Sequence, residues 1–199
     1  MKFKIIFFLL TVTLLSCKNK ETNTKKELSI QSKDFEVFLK KFKTLKFPLN
    51  IKTSDIQIEN LKAFTKNDLK FLDLNNIDPD LDNVYPYGIL PDTLEAYKVI
   101  YLLPAETHIP VIATYTKEGK KISTEELGVG GCGADCGFTC AAYIKIDRNL
   151  KIHSVDSITS HQCDSLGPIL NTKRNYTHFK DGTITKKGKI TFSKTIEQY

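Results

Sequence analysis

Tyr97-Lys98-Val99-Ile100-Tyr101 and Val111-Ile112-Ala113-Thr114-Tyr115 place apolar and aromatic side chains at every second position, and the turn-forming run Lys117-Glu118-Gly119-Lys120 follows the second of them. A period of two belongs to an extended chain whose alternate side chains face one layer, so this region predicts paired strands. The pattern returns further along. Tyr143-Ile144-Lys145-Ile146 runs into Asp147-Arg148-Asn149 and comes back through Leu150 and Ile152, while Asp181-Gly182 and Lys187-Gly188 punctuate strands carrying Tyr176, Phe179, Ile184, Ile190 and Phe192. Short strands joined by tight turns at this spacing predict an antiparallel meander, curved or partly closed.

Upstream of Leu94 the period changes. Phe35, Phe38, Leu39, Phe42 and Leu45 recur at helical spacing with Lys40, Lys41 and Lys43 facing away, which predicts an amphipathic helix from about Asp34 to Leu45, N-capped by Ser32. Its phenylalanine stripe reads as a packing face. Pro48 ends that region, Leu49 and Ile51 suggest a short strand, and Thr65-Lys66-Asn67-Asp68 has the form of a capping box opening a second helix. Residues 75–92, crowded with Asn, Asp, Pro and Gly, read as a long loop or a pair of turns. The oxygen-rich run from Asp78 to Asn83 lacks the central glycine and closing glutamate of an EF-hand loop and reads as a solvated turn. The class is α+β, mainly β: an N-terminal amphipathic helix packed on an antiparallel meander, in one domain over residues 32–199.

The N-terminus carries a different kind of information. Lys2 and Lys4 precede the apolar run Ile5 to Leu10 and the softer stretch Thr11 to Leu15, a leader too short to span a bilayer, and Lys18, Lys20 and Glu21 follow at once. The ending Leu14-Leu15-Ser16-Cys17 resembles the lipobox of bacterial lipoproteins. The resemblance covers residues 1–17. It implies a signal peptide over residues 1–16, diacylglyceryl on the Cys17 thiol, cleavage before that residue, and acylation, as with palmitate, of the new amino terminus. Lys18-Asn19-Lys20-Glu21 supplies neither an acidic residue directly after the cysteine nor an acidic run, so the resemblance further implies an outer-membrane protein facing the periplasm, with surface display as the alternative. Residues 17–31, rich in Lys, Asn, Thr and Glu, read as a flexible tether.

Without residues 1–16 the chain keeps 27 basic against 23 acidic residues, a formal charge of +4. That mild balance, together with export, argues against a nucleic-acid partner. Lys186, Lys187 and Lys189 around Gly188 read as solvated hairpin lysines.

With Cys17 assigned to lipid, Cys132, Cys136, Cys140 and Cys163 remain, and an even number of cysteines in an exported chain predicts disulfides. If residues 138–159 form a hairpin about Arg148-Asn149, Cys163 falls opposite residues 133–135, near Cys132 and Cys136, while Cys140 lies too far along the strand. This favours Cys136 with Cys163 and Cys132 with Cys140; glycines at 130, 131, 133 and 137 leave another pairing open.

Two chemistries compete with a staple. The four thiols, or three with His161, are a possible zinc set, although C-x-x-C spacing is absent. Gly131-Cys132-Gly133-Ala134-Asp135-Cys136-Gly137-Phe138 resembles the Asp-Cys-Ser-Gly-Phe segment of cell-wall cysteine peptidases, which implies Cys136 as nucleophile with His153, His161 or His178 as base. The segment departs from that family where no serine follows Cys136 and where Cys140 intrudes. His108, His153, His161 and His178 show no metalloprotease spacing and read as surface histidines. The expectation is a non-enzymatic binding or scaffolding domain with no catalytic residue and no cofactor, partnered by an envelope protein, lipid or polymer.

Overall fold

The computed structural model describes residues 33–74, 83–130, 132–133 and 135–199. The leader, Cys17, the tether, the Ser32 cap and the Asp78 to Asp82 run lie outside the described residues.

The fold is mainly β and antiparallel, arranged as two sheets rather than one meander. Strands β2 (Tyr85–Ile89), β3 (Tyr97–Leu103), β4 (Ile109–Tyr115) and β5 (Lys121–Glu126) form a four-stranded sheet in sequence order. Strands β1 (Leu49–Lys52), β6 (Phe138–Ile146), β7 (Lys151–Asp164), β8 (Gly167–Ile184) and β10 (Ile196–Gln198) form the second, with β9 (Ile190–Phe192) also paired to β8. Neither strand order closes into a barrel.

The four-stranded sheet is covered on both faces. On one, Val99, Tyr101, Val111, Ala113 and Tyr115 pack with Phe35, Phe38, Phe64 and Phe71. On the other, Ile100 and Ile112 pack with Ile144, Ile146, Ile152 and Ile184 of the six-stranded sheet. This explains why, from Tyr97 to Tyr101, the positions between Tyr97, Val99 and Tyr101 are also buried, Lys98 and Ile100 among them: the sheet is a middle layer, and both of its sides are dry. Each large side chain buried there contributes roughly 1.5–3 kcal/mol. The polar residues on the inner side are individually satisfied. Lys98, fully buried, donates from Nζ to the Asp92 carbonyl at 2.8 Å and the Ala96 carbonyl at 3.2 Å, while Thr114 donates to the Gly188 carbonyl at 2.6 Å. Burial lowers the Lys98 pKa, against the opposing pull of Asp92 and Glu95.

Helix α1 covers residues 33–39 and is shorter than the sequence pattern suggests. Phe42 and Leu45 are still buried, but the chain has left the helix: the Lys43 carbonyl accepts from the Ile89 amide and the Leu45 amide donates to the Ile89 carbonyl, each at 2.9 Å. Helix α2 (Lys66–Leu69) starts at the expected capping box. Two other expectations are corrected. Within residues 75–92, Tyr85–Ile89 is a strand, its Pro86 and Gly88 tolerated because β2 is an edge with a register shift between them. Asp181 and Gly182 are not a turn but lie inside β8, where a Cβ on Gly182 would meet the Phe192 ring at 2.6 Å; the glycine makes room for an aromatic of β9. The turns at Thr116–Lys120, Asp147–Lys151 and Thr185–Lys189 form as expected, closed by backbone hydrogen bonds of 2.8, 3.0 and 2.9 Å.

Candidate functional site

Strands β6 and β7 pair from Phe138↔Ser160 to Ile146↔Ile152, the register that the Arg148-Asn149 turn predicts. It brings the four cysteines together as two pairs. Cys132 bonds to Cys140 with Cα atoms 5.2 Å apart, and Cys136 bonds to Cys163 at 6.3 Å, the pairing that the register favours. The zinc set of four thiols, or of three with His161, is thus divided between two disulfides. The Cys136 sulfur, bonded to Cys163, is not a free nucleophile.

The histidines do not converge on it. His153 projects from the exposed face of β7, its Nδ1 2.7 Å from Asp181 Oδ1, and His178 Nε2 lies 3.3 Å from Glu197 Oε2. His108 stacks edge-on to Tyr85 with ring centroids 5.8 Å apart. His161 donates its backbone N–H to the Gly137 carbonyl at 2.7 Å, and its Nδ1 is buried without a hydrogen-bond partner. Gly137 is required at this crossing: its φ is +67°, and a Cβ would lie 2.8 Å from the His161 carbonyl oxygen and 2.9 Å from the Cys163 sulfur.

The Cys132–Cys140 disulfide forms part of the wall of an open cleft of about 520 Å³ where the loop ends of the four-stranded sheet meet the inner face of the six-stranded one. Thr53 and Ser54, on the 3₁₀ turn Thr53–Asp55, line one side; Glu106 and His108, on the β3–β4 loop, line another; Glu126 ends β5 and Gly128 follows it; Ala142 and Asp156 supply the sheet surface. This volume is within the usual range for a small-ligand site.

Asp156 is 1 % exposed and sits on the inward side of β7 with Ser154 and Ile158. Ser154 donates to the Leu127 carbonyl at 2.6 Å and so fixes the chain just beyond Glu126 over the sheet. Lys180, on β8, donates to the Glu126 carbonyl at 3.0 Å and lies 4.3 Å from the Phe192 ring centroid. Burial lowers the Lys180 pKa, opposed by the charges of Glu126, Glu125 and Asp156. With Glu106, Glu126 and Asp156 against His108, the lining suits a neutral or cationic, donor-rich group better than an anion.

Sequence reasoning does not single out Glu106, Glu126 or Asp156. The available signal is the inward series Ile152, Ser154, Asp156, Ile158: two polar residues where the alternation calls for apolar ones. Among the described residues no helix is long and apolar enough to cross a membrane. The chain matches no protein-family model, and no curated protein or solved structure matches it.

Proposed function

We propose that this chain is a bacterial lipoprotein, anchored by acylated Cys17 in the outer membrane and facing the periplasm, whose mature domain binds another envelope component without transforming it. The observation that carries the binding half is the cleft over Asp156: an open, mainly apolar cavity of about 520 Å³ that carries Glu106, His108 and Glu126 and has a disulfide in its wall. Two disulfide pairs suit an oxidising compartment, and the lipobox-like ending at Cys17 suits one reached by export. A thiol engaged in a disulfide is a poor start for nucleophilic catalysis, which favours binding over hydrolysis at Cys136.

Site-specific photocrosslinking in the native bacterium tests the reading. Probes at Ser54 and His108, on the cleft wall, are expected to capture a discrete envelope component, whereas a probe at Lys151, on the exposed outer side of β7, is not. Equal capture from both surfaces, or none from the cleft, would remove it. Mass spectrometry of the non-reduced mature chain gives the second check: Cys136 is expected in a peptide linked to Cys163, and a free, alkylatable Cys136 would restore the hydrolase alternative.

A further inference from the structure

The floor of the cleft brings together three groups that the sequence keeps apart. The Cys132 and Cys140 sulfurs and a carboxylate oxygen of Asp156 all lie within 4.8 Å of one another, and Asp156 is almost fully buried. Around a tetrahedral zinc ion, sulfur ligands at about 2.3 Å and oxygen at about 2.1 Å stand roughly 3.5–3.8 Å apart, so the two bonded sulfurs must separate by nearly 2 Å on reduction, while the Asp156 oxygen already lies close to its ligand distance from both. Cys136, Cys163 and His161 are outside this grouping. We propose that, once the Cys132–Cys140 disulfide is reduced, its two thiolates and the Asp156 carboxylate hold one zinc-class divalent cation, with a fourth position open to the cleft.

The chemistry balances with a dithiol as reductant. Its two S–H bonds and the Cys132–Cys140 S–S bond break, its own S–S bond forms, and two electrons and two protons pass to the protein sulfurs. Metal binding then releases both thiol protons to solvent, and Asp156 enters as the ionised carboxylate. Two thiolates select a soft or borderline ion over calcium or magnesium. Lys180, whose charge interacts with Asp156, offsets the excess negative charge of the centre. The site shares the cleft of the proposed function and names a second, thiol-dependent ligand for it.

Cobalt and zinc titration of the full-length mature chain in detergent tests this, using a phosphine to deliver the two electrons without competing for metal. The reduced chain is expected to bind one equivalent of cobalt with sulfur-to-metal charge-transfer absorption, displaced by zinc, while the oxidised chain binds none. The double variant Cys136→Ser, Cys163→Ser is expected to keep the signal, Cys132→Ser to abolish it, and Asp156→Asn to weaken zinc at least tenfold. Near-ultraviolet circular dichroism shows whether the loaded chain is folded. No binding after reduction, binding only by unfolded chain, or affinity unchanged in Cys132→Ser or Asp156→Asn would overturn the site. Those results leave photocrosslinking from the cleft untouched, so this inference and the binding reading fail separately.

Discussion

Asp68 joins two parts of the helical layer through one carboxylate. Its Oδ2 accepts from the Thr65 amide at 2.7 Å, the Thr65 hydroxyl at 2.6 Å and Lys41 Nζ at 2.6 Å, so it caps α2 and ties it to the segment that follows α1. Burial alone would raise its pKa, but the hydrogen bonds from Lys41 and Thr65 outweigh burial and hold it below the ordinary value. A carboxylate depressed in the folded state stabilises the fold above its unfolded pKa of about 4, and that stabilisation is lost as pH falls through the lowered value. Asp68→Asn is therefore expected to lose about 1–2 kcal/mol at neutral pH, with the gap to the parent narrowing below about pH 4. Urea unfolding across that range reads the difference, and a gap independent of pH would contradict it. Gly137 is the second residue whose neighbours leave no freedom. With φ at +67° and the His161 carbonyl where a Cβ would go, Gly137→Ala is expected to destabilise by about 1–3 kcal/mol in the same assay. An unchanged midpoint would mean that the crossing yields.

At the level of elements, the two disulfides differ in what they close. Cys136–Cys163 spans 27 positions and ties the loop before β6 to the far end of β7, whereas Cys132–Cys140 spans 8 and ties that loop to the start of β6. Loop-closure entropy then gives the longer bond about 3.5 kcal/mol and the shorter about 2.5 kcal/mol. Chemical denaturation of the two paired-serine variants is expected to rank them in that order, and the reverse order would show that the short loop is the tighter constraint. The β6–β7 pairing is legible in sequence because its cause is local. Asp147 Oδ1 accepts from the amides of Asn149 and Lys151 at 2.8 and 2.9 Å, fixing the turn and hence the register over 9 paired positions. Helix α1 is legible in its buried face but not in its end, which is set by Ile89, a residue more than 40 positions away. Strand β2 is hidden because Pro86 and Gly88 signal a turn locally, and only an edge position in the finished sheet makes them acceptable. The cleft is legible only in part: its cysteines stand out, but Asp156 gains its meaning from the loop ends of the other sheet.

Taken as a whole, the molecule is three layers deep: the helical segments, a four-stranded sheet dry on both sides, and a six-stranded sheet whose second face meets solvent at Tyr143, Lys145, Lys151 and His153. Stability is concentrated in the two cores flanking the middle layer. The cleft lies at their margin, where Asp156 is buried but Ile158 and Ala142 give way to the half-exposed disulfide. Among the described residues, both clusters are composed of residues from Phe35 onward. Under the proposed anchoring, lipid at Cys17 acts on location alone: two acyl chains hold a domain at a bilayer that one chain would bind only reversibly. Cys17→Ser, expressed with its leader, is therefore expected to move the protein from the membrane pellet to the soluble fraction after cell fractionation, with an unfolding midpoint matching that of the parent. Retention in the pellet would refute the anchor, and release accompanied by a lower midpoint would mean that the N-terminal segment belongs to the folded body.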